Sequence, residues 1–421
     1  MVYPVSYNDY TKKTPLLDRF IRYALIPTGS DPESQASPSA AREFDLARVL
    51  ESELRALGAK DVTLSEKGVV TATIPASAGA EKAPVILLNS HMDTSPETSC
   101  EGIHPQVAEA WNGDAIALDP ENKIRLDPEV FPELRRHIGE DIICTDGRTL
   151  LGADDKAGVA EIMTAVEKLI TSGAPHGELR IVFTTDEEVG RGTEGLDVKE
   201  LACDWGYTVD GGELGVYEYE NFNAAAALVR VHGVGIHPGS AKNIMKNAAT
   251  IAMELHSLLP ADQVPEKTEG YEGFIHLTDM SGDVVEAELH YIIRDHDRTL
   301  FEEKKACLRA AVEEINRRYG EGTAEADISD TYYNMREKIE PHRHLLDRAE
   351  AAYRACGVAP RTEAIRGGTD GAVLTWMGLP CPNLSTGGYN YHGVHEFIPV
   401  DSLAVMPDVL LEIIGSFVEN V

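Results

Sequence analysis

The sequence predicts an α/β fold: a mostly parallel sheet flanked by helices, with a ferredoxin-like domain inserted into it. Two observations support this. Before residue 222, stretches with helical spacing of Leu and Val alternate with continuous apolar runs, which are typical of strands covered on both faces. Between residues 222 and 332, the predicted order becomes β-α-β-β-α-β, the unit of ferredoxin-like domains. We therefore expect a first domain formed by 1–221 and 333–421, with 222–332 as the inserted domain.

The elements of the first domain follow from local signals. The Leu and Val spacing of residues 43–58 indicates a helix, and Gly58 ends it. The apolar run 83–91 is long enough for a central strand, and the segment 153–170 is amphipathic. The predicted elements are helices at 43–58, 153–170, 342–357 and 410–421 and strands at 83–91, 178–185 and 205–212.

A second set of predicted helices and strands forms the inserted domain. Two neighbouring strand patterns in its centre can pair as a hairpin, and a helical pattern lies on each side of them. The predicted elements are strands at 223–235, 272–282, 284–297 and 324–334 and helices at 241–259 and 301–320.

The composition excludes several classes of function. The 421 residues include 38 Lys and Arg against 70 Asp and Glu, giving a formal net charge of −32. Phosphate would repel such a chain, so we expect no nucleic-acid partner. No apolar run approaches the roughly 20 residues that cross a bilayer, and the first residues lack the order of a secretory signal, so we expect no membrane partner. The six scattered cysteines favour free thiols and a cytoplasmic location.

Acidic residues and histidines recur at five places that follow predicted strands or lie in loops. Each place taken alone has a purely structural explanation, such as a helix cap for Asp154 or an Asp-Gly turn for Asp210. In open α/β sheets, however, ligands collect outside the carboxyl ends of the strands, so a single site is the better interpretation. The residues are His91 and Asp93, Asp154 and Asp155, Glu187 and Glu188, Asp210, and His392 and His395.

The number and type of these side chains favour a metal site. Asp186, Glu187 and Glu188 are adjacent and would repel one another unless a cation lies between them. Carboxylates and imidazoles suit zinc or a similar divalent ion. Five ligands are too many for one tetrahedral zinc, but they fit two ions about 3.5–4 Å apart that share a bridging carboxylate.

Several long motifs resemble a known family. They include "SHMDTSPE", "TLLGADDKAGVAEIMTA", "TTDEEVGRGTEGLDV", "YTVDGGELG", "HYIIRDHDR" and "IRGGTDGAVLTWMGLPCPNLSTGGYNYHG", and they lie in both predicted domains. The chain is similar to the di-zinc M20 metallopeptidases, in particular to their tripeptide aminopeptidase branch, peptidase T. The resemblance implies a zinc-peptidase-like first domain and two zinc ions per subunit, with cobalt or manganese as alternatives.

The resemblance also implies roles for individual residues. His91 and Asp210 would bind one ion, Glu188 and His392 would bind the other, and Asp154 would bridge the two. Asp93 would orient His91, and Glu187 would be the general base. His392 is preferred to His395 because the family pattern is His, three residues, then Glu, which here is His392 and Glu396. A cis peptide bond is expected between Asp154 and Asp155.

Four residues are candidates for substrate binding. His237 would donate a hydrogen bond to the oxyanion. Asn243 would add a hydrogen bond to the substrate. Arg294 and Arg366 would bind the substrate carboxylate. The alternative for His237 is an ordinary loop histidine beside a proline. The alternative for the arginines is an internal salt bridge with Asp295 or Asp370.

These observations predict a cytoplasmic di-zinc aminopeptidase that removes the N-terminal residue of tripeptides. Another M20-type dipeptidase, carboxypeptidase or N-deacylase is the enzymatic alternative, because the metal residues do not distinguish these reactions. A metal-dependent peptide-binding protein is the alternative without catalysis. Small peptides are the expected partners. By analogy with the family, the inserted domain pairs two subunits, which leaves open whether His237 acts in its own subunit or across the dimer.

Overall fold

The computed structural model describes residues 1–418 of the chain. It consists of two compact units. Unit 1 contains Met1–Tyr219, Lys338–Glu363 and the chain from Thr369 onward, and unit 2 contains Glu220–Glu337 with Ala364–Gly368. The predicted insertion, 222–332, falls within unit 2, and its status as an inserted domain stays a prediction.

The helices and strands of residues 1–418 are numbered in chain order. The helices are α1 (Pro15–Ala24), α2 (Glu43–Leu57), α3 (Ala153–Ser172), α4 (Val198–Leu201), α5 (Ala248–Ser257), α6 (Arg298–Tyr319), α7 (Arg336–Ile339), α8 (His344–Ala355), α9 (Asp370–Trp376) and α10 (Val400–Ser416). The strands are β1 (Val5–Ser6), β2 (Lys60–Leu64), β3 (Val70–Ile74), β4 (Ile86–His91), β5 (Gln106–Ala108), β6 (Ile116–Asp119), β7 (Ile124–Leu126), β8 (Ile142–Cys144), β9 (Leu179–Thr184), β10 (Trp205–Gly211), β11 (Val216–Glu218), β12 (Asn223–His232), β13 (Phe274–Gly282), β14 (Glu286–Asp295), β15 (Ala324–Tyr332), β16 (Arg361–Thr362), β17 (Asn383–Ser385) and β18 (Ile398–Pro399).

Unit 1 is built around a mixed sheet with the strand order β16-β11-β17-β10-β4-β9-β3-β2. Its centre is parallel: β17 pairs with β10, β10 with β4, and β4 with β9. The flanking pairs of β11 with β17, β3 with β9 and β2 with β3 are antiparallel. The four central strands therefore end at the same edge of the sheet, which confirms the α/β fold with a parallel core.

The centre of this sheet is fully buried, as its apolar runs predicted. All six residues of β4 are buried, and α3 packs against both β4 and β10. The approach of α3 is close because Gly158 faces the sheet: a Cβ atom there would lie 2.0 Å from the carbonyl oxygen of Val209. The sheet and α3 thus form a rigid base for the loops at the strand ends.

Unit 2 has the order of elements predicted from its sequence. Its antiparallel sheet has the strand order β13-β14-β12-β15, and α5 and α6 pack on one face. The core is the alternating apolar side chains of the strands together with the inner faces of the helices, including Val229, Leu255, Leu289, Phe301 and Leu308. This arrangement is the ferredoxin-like fold.

Two predicted helices differ from the structure. The helix expected at 241–259 begins only at Ala248, because Asn247 caps it through the amide of Thr250 and Asn243 adopts a left-handed backbone with φ of 63°. The helix expected to reach residue 421 is part of α10, which ends at Ser416, and residues 419–421 lie outside the described residues. None of the helices in the described part is both long and apolar enough to span a membrane.

Candidate active site

Three neighbouring parallel strands bring chemically active side chains to one edge of the unit 1 sheet. Strand β4 ends at His91, β9 leads into Glu187 and Glu188, and β10 carries Asp210. The registers of β4 with β9 and of β4 with β10 are continuous, so the three strand ends lie side by side. They are joined by the sequence-distant Asp154, at the start of α3, and His392, in the loop before β18.

The first group of possible metal donors contains His91, Asp154 and Asp210, whose ligand atoms lie within 4.8 Å of one another. The Nε2 atom of His91 is 3.0 Å from Oδ1 of Asp154 and 3.3 Å from Oδ1 of Asp210. The histidine side chain is buried. One nitrogen and two carboxylate oxygens therefore converge on a small space.

The second group contains Asp154, Glu188 and His392. The Nε2 atom of His392 is 3.2 Å from Oδ2 of Asp154 and 3.1 Å from Oε2 of Glu188. Asp154 is thus common to both groups, with Oδ1 turned towards His91 and Oδ2 towards His392. Its peptide bond to Asp155 is cis, as the resemblance implied.

The pKa shifts in the two groups indicate that additional positive charge would stabilise them. Hydrogen bonds to Asp154 and Glu188 raise the pKa of His392 to about 11, and burial raises the pKa of Glu188 to about 7. Burial also raises the pKa of Asp210. Within residues 1–418, Oε1 of Glu188 is buried without a hydrogen-bond partner. Divalent cations would stabilise the charged form of these buried carboxylates. Imidazole with carboxylate is also a donor set that suits zinc. The residues present therefore fit a pair of metal ions.

Asp93 lies beneath these side chains and is completely buried. Its carboxylate oxygens accept hydrogen bonds from the backbone amides of Glu187 and Glu188 at 3.0 and 3.1 Å. Oδ1 is also 3.3 Å from Nδ1 of His91. The Nδ1 atom of His91 is closer to the backbone carbonyl oxygen of Asp93, at 3.1 Å. Asp93 thus holds the histidine ring through its carbonyl and carboxylate oxygens, and its carboxylate also holds the backbone that carries the two glutamates.

The three consecutive acids after β9 have three different environments. Asp186 has a left-handed backbone with φ of 61°, and both of its carboxylate oxygens accept from the Ser39 amide at 2.9 Å. Glu188 belongs to the second donor group, whereas Glu187 belongs to neither of the two groups found among residues 1–418. Burial raises the pKa of Glu187 well above its usual range.

The loop before β18 separates its two histidines. His392 has φ of 64°, and its carbonyl oxygen accepts a hydrogen bond from the Thr98 hydroxyl at 2.6 Å. Its ring faces Asp154 and Glu188, as described above. His395 instead packs against the ring of Phe131, with a centroid distance of 5.0 Å. Of the two, only His392 lies among the carboxylates.

The remaining predicted site residues belong to unit 2. His237 is exposed, and its Nδ1 accepts from the Gly239 amide at 3.1 Å. Asn243 lies in the loop before α5. Arg294 donates from Nη1 to the carbonyl oxygens of Ala225 and Ile293, and its guanidinium lies over Tyr332. The substrate-binding roles of these three residues stay predictions.

Arg366 has many partners in its own unit. Nη1 donates to the carbonyl oxygens of Gly270 and Glu272 at 2.6 and 3.0 Å, and Nη2 is 3.1 Å from Oγ1 of Thr268. The guanidinium also lies 5.1 Å from the centroid of Phe222. The arginine therefore organises the segment 268–272.

The acids named as alternative partners of the two arginines have other partners. Asp295 lies 2.7 Å from the ammonium of Lys304, and Asp370 accepts from the Thr184 hydroxyl at 2.5 Å. The expected alternative, an internal salt bridge with either acid, is therefore not the arrangement that these carboxylates adopt.

Two buried acids near the site were given no role in the sequence analysis. Glu43 accepts from the amides of Ala40 and Asp186, and burial raises its pKa to about 8. Its position in the first turn of α2 is typical of any helix, so no sequence signal marks it. Glu396 accepts three backbone hydrogen bonds from the loop that carries Asp154. Its spacing from His392 was the one available signal.

The chain is similar to known peptidases over most of its length. The model of peptidase family M20/M25/M40 matches residues 147–416. Peptidase T of Alkaliphilus oremlandii is 49% identical over 401 residues, which cover 95% of this chain and 98% of that protein. The crystal structure of aminopeptidase PepT from Bacillus cereus aligns with a TM-score of 0.74 at 23% identity, covering 96% of this chain and 98% of that one.

A second solved structure is a tripeptidase from Staphylococcus aureus, with a TM-score of 0.75 at 22% identity, and it covers 96% of this chain and 98% of that one. At these identities, the two structures establish the shared fold. The family model and the peptidase T relative together cover most of the chain. The chain therefore belongs to peptidase family M20/M25/M40 and is a hydrolase that acts on peptide bonds.

Proposed function

We propose that this hydrolase is a cytoplasmic di-zinc aminopeptidase that removes the N-terminal residue of tripeptides. The observation that carries the proposal is the shared carboxylate of Asp154, whose two oxygens face separate histidines at 3.0 and 3.2 Å. A carboxylate shared by two donor sets would help to hold a pair of metal ions. Zinc is our first choice, with cobalt or manganese as exchangeable alternatives.

Five residues would hold the ions. His91 and Asp210 would bind one and Glu188 and His392 the other, with Asp154 between them. When bound, such a pair lowers the pKa of water towards about 7 and polarises the scissile carbonyl. Asp93 fixes the ring of His91 through its carbonyl oxygen and its carboxylate, and such partners orient a histidine ligand and set its tautomer.

Glu187 would be the general base. It stands outside both donor groups of the described residues, and Asp93 fixes its backbone. In the reaction it takes a proton from the attacking water and later returns that proton to the leaving amine. A raised pKa suits this double task, because a base that must also act as an acid works best when its pKa is near the operating pH.

Unit 2 would supply the substrate contacts. His237 is the candidate donor to the oxyanion, and Asn243 adds a polar group in the same exposed loop. Arg294 and Arg366 are the candidates for the C-terminal carboxylate. Arg294 is the stronger one, because within residues 1–418 only its Nη1 donates hydrogen bonds, whereas both Nη atoms of Arg366 are engaged.

Two further lines support the proposal. A relative named peptidase T and a structural neighbour named a tripeptidase favour tripeptides over other M20 substrates. All six cysteines lie in the described residues and are free thiols, which favours the reducing cytoplasm. We also propose, on family analogy alone, a homodimer through 222–332.

The test is hydrolysis of Ala-Ala, Ala-Ala-Ala, tetra-alanine and N-acetyl-tri-alanine, each with zinc and after chelation. We expect zinc-dependent release of N-terminal alanine from the free tripeptide only. Cleavage of the acetylated tripeptide would contradict an aminopeptidase and favour an N-deacylase or a carboxypeptidase. Preference for Ala-Ala would indicate a dipeptidase, and binding of peptides without cleavage would indicate a binding protein.

A further inference from the structure

Glu396 is a buried acid that holds the backbone of another segment. Its side chain is 1% exposed. Oε2 accepts hydrogen bonds from the amides of Leu151 and Gly152 at 2.6 and 2.8 Å, and Oε1 accepts from the amide of Asp154 at 3.1 Å. A single carboxylate thus satisfies three backbone donors in the loop that leads into α3.

The two ends of this interaction both belong to the candidate metal site. Glu396 lies four residues after His392 in the loop between β17 and β18. Asp154, whose own amide it binds, carries the carboxylate that is shared by both donor groups. Segments that are more than 240 positions apart in sequence are therefore joined directly beside the donors they contribute.

Neither loop has a regular conformation that would hold its donor without such contacts. Gly152 has φ of 78°, and Asp154 departs from helical angles although it lies at the start of α3. His392 has φ of 64°. On the other side of Glu396, Phe397 exchanges backbone hydrogen bonds with Tyr389 at 2.9 and 3.1 Å, which fixes the base of the His392 loop. Glu396 is the polar link from that base to Asp154.

We propose that Glu396 is a positioning residue for the metal pair: its carboxylate sets Asp154 in register with His392, so that each oxygen of Asp154 faces its own histidine. The inference rests on the proposed di-metal function. Groups that orient metal ligands typically contribute about 10–100-fold to metal affinity or activity when they are removed. Glu396 does this through the backbone of one ligand and the loop of the other.

A matched control is available in the same unit. Asp119 is also buried, and it accepts from the backbone amides of Glu121 and Asn122 at 3.0 and 3.1 Å in the β6–β7 hairpin. That hairpin contributes none of the five donors. Asp119→Asn neutralises a buried carboxylate that accepts from backbone amides, as Glu396→Gln does, so it measures the purely structural cost.

The experiment titrates zinc against a chromophoric chelator in wild type, Glu396→Gln and Asp119→Asn at a temperature where circular dichroism shows all three folded. We expect Glu396→Gln to lose about 10–100-fold in affinity for at least one ion, with a changed visible spectrum of the cobalt-loaded protein. Asp119→Asn should match wild type in both readouts. Excess zinc should restore part of the lost tripeptide hydrolysis in Glu396→Gln.

Equal zinc affinity in wild type and Glu396→Gln would overturn this inference and leave the proposed function intact. A wild-type chain that binds no divalent ion would overturn the proposed function and the inference with it. If Glu396→Gln fails to fold, a second measurement on the wild type still tests the inference. In metal-free wild type, the amides of Leu151 and Gly152 should be strongly protected from hydrogen exchange, and rapid exchange there would also overturn the inference.

Discussion

At the scale of single residues, three adjacent acids with the same kind of side chain have different partners. Asp186 binds the Ser39 amide, Glu188 joins His392 and Asp154, and Glu187 stays outside both donor groups of the described residues. The repulsion between these adjacent acids is reduced because their carboxylates point to different partners. The cost that remains falls on the buried glutamates, whose pKa values burial raises.

Glu187→Gln tests this division. We expect kcat for tri-alanine to fall by about 10²–10⁴-fold, because the amide cannot take the proton of the attacking water. Zinc content should stay at the wild-type value, measured by atomic absorption after dialysis. Glu200→Gln is the control, since Glu200 is an exposed acid in α4 and should leave both values unchanged. Loss of zinc in Glu187→Gln would make Glu187 a ligand.

Arg294→Ala tests recognition of the substrate carboxylate. We expect KM for Ala-Ala-Ala to rise about tenfold or more, since a charge-assisted contact contributes about 1.5–3 kcal/mol. KM for the tripeptide amide, which has no carboxylate, should change little. Arg230→Ala is the control, because Arg230 lies on the neighbouring strand β12 and pairs with Glu288. An equal rise in KM for both substrates would rule out the carboxylate contact.

At the scale of elements, α3 connects the sheet to the site, and its small residues permit the contact. A Cβ at Gly158 would lie 2.0 Å from the carbonyl oxygen of Val209 and 2.5 Å from Oδ1 of Asp155. Neither neighbour can move freely, because one is backbone in β10 and the other belongs to a carboxylate whose Oδ2 accepts a 2.5 Å hydrogen bond from the Ser90 hydroxyl.

Gly158→Ala is therefore expected to lower the free energy of unfolding by about 3 kcal/mol or more, at the upper end of overpacking effects. Gly415→Ala is the matched control: it also lies in a helix, and a Cβ there meets nothing within 4 Å. This variant should be more stable than wild type by about 0.5–1 kcal/mol. Urea unfolding at 25 °C measures both, and similar effects would disprove the close approach.

Glu161, also in α3, makes stability depend on pH. It is completely buried, and neither carboxylate oxygen has a hydrogen-bond partner within residues 1–418. Burial raises the pKa of Glu161 well above its usual value of 4.5. The folded state therefore holds this proton more tightly than the unfolded state does. The resulting stability is full below about pH 4.5 and is lost progressively as the pH rises towards the folded pKa.

Glu161→Gln removes this dependence. We expect the variant to unfold at nearly the same urea concentration as wild type at pH 5 and at a higher concentration at pH 9. Glu167→Gln is the control, since Glu167 is a more exposed acid of α3 that pairs with Arg19. A pH profile in which Glu161→Gln parallels wild type would mean that Glu161 stays protonated or finds a partner throughout.

At the scale of the whole molecule, the five donor residues and all three tryptophans belong to unit 1. The tryptophans are Trp111, Trp205 and Trp376. Their fluorescence therefore reports the unfolding of the unit that would bind metal. Unit 2 contributes none of the donors, so it provides an internal reference in the same chain.

Removal of metal should therefore act on unit 1. At free zinc 100 times the dissociation constant, one site adds about 2.7 kcal/mol to stability, so chelation should lower the midpoint of the tryptophan transition. Hydrogen exchange of α6 amides in unit 2 should change less than that of α3 amides. Equal changes in both helices would show that the units unfold as one, and no change in either would contradict a metal site.

The positions of many helices and strands could be predicted from the local sequence. The strands β4, β9 and β10 and the helices α2, α3 and α6 lie where apolar spacing predicts them, because side-chain period follows backbone geometry. The helix expected at 241–259 was wrong in its first turns. The residues of 241–247 are compatible with a helix, which is why the pattern predicted one there. The left-handed backbone of Asn243 and the cap formed by Asn247 instead make the helix begin at Ala248.

The sequence by itself determined the fold class and the residues able to hold metal, since strand ends, residue types and long motifs are local properties. Only the tertiary structure decided that Asp154 lies between two histidines, that Asp186 binds Ser39, that Arg366 is engaged by its own unit, and that Glu396 anchors the α3 loop. These contacts join residues between about 60 and 245 positions apart, and some depend on which oxygen of a side chain faces which partner. Periodicity and spacing carry no information about such distances, because packing of the whole chain sets them.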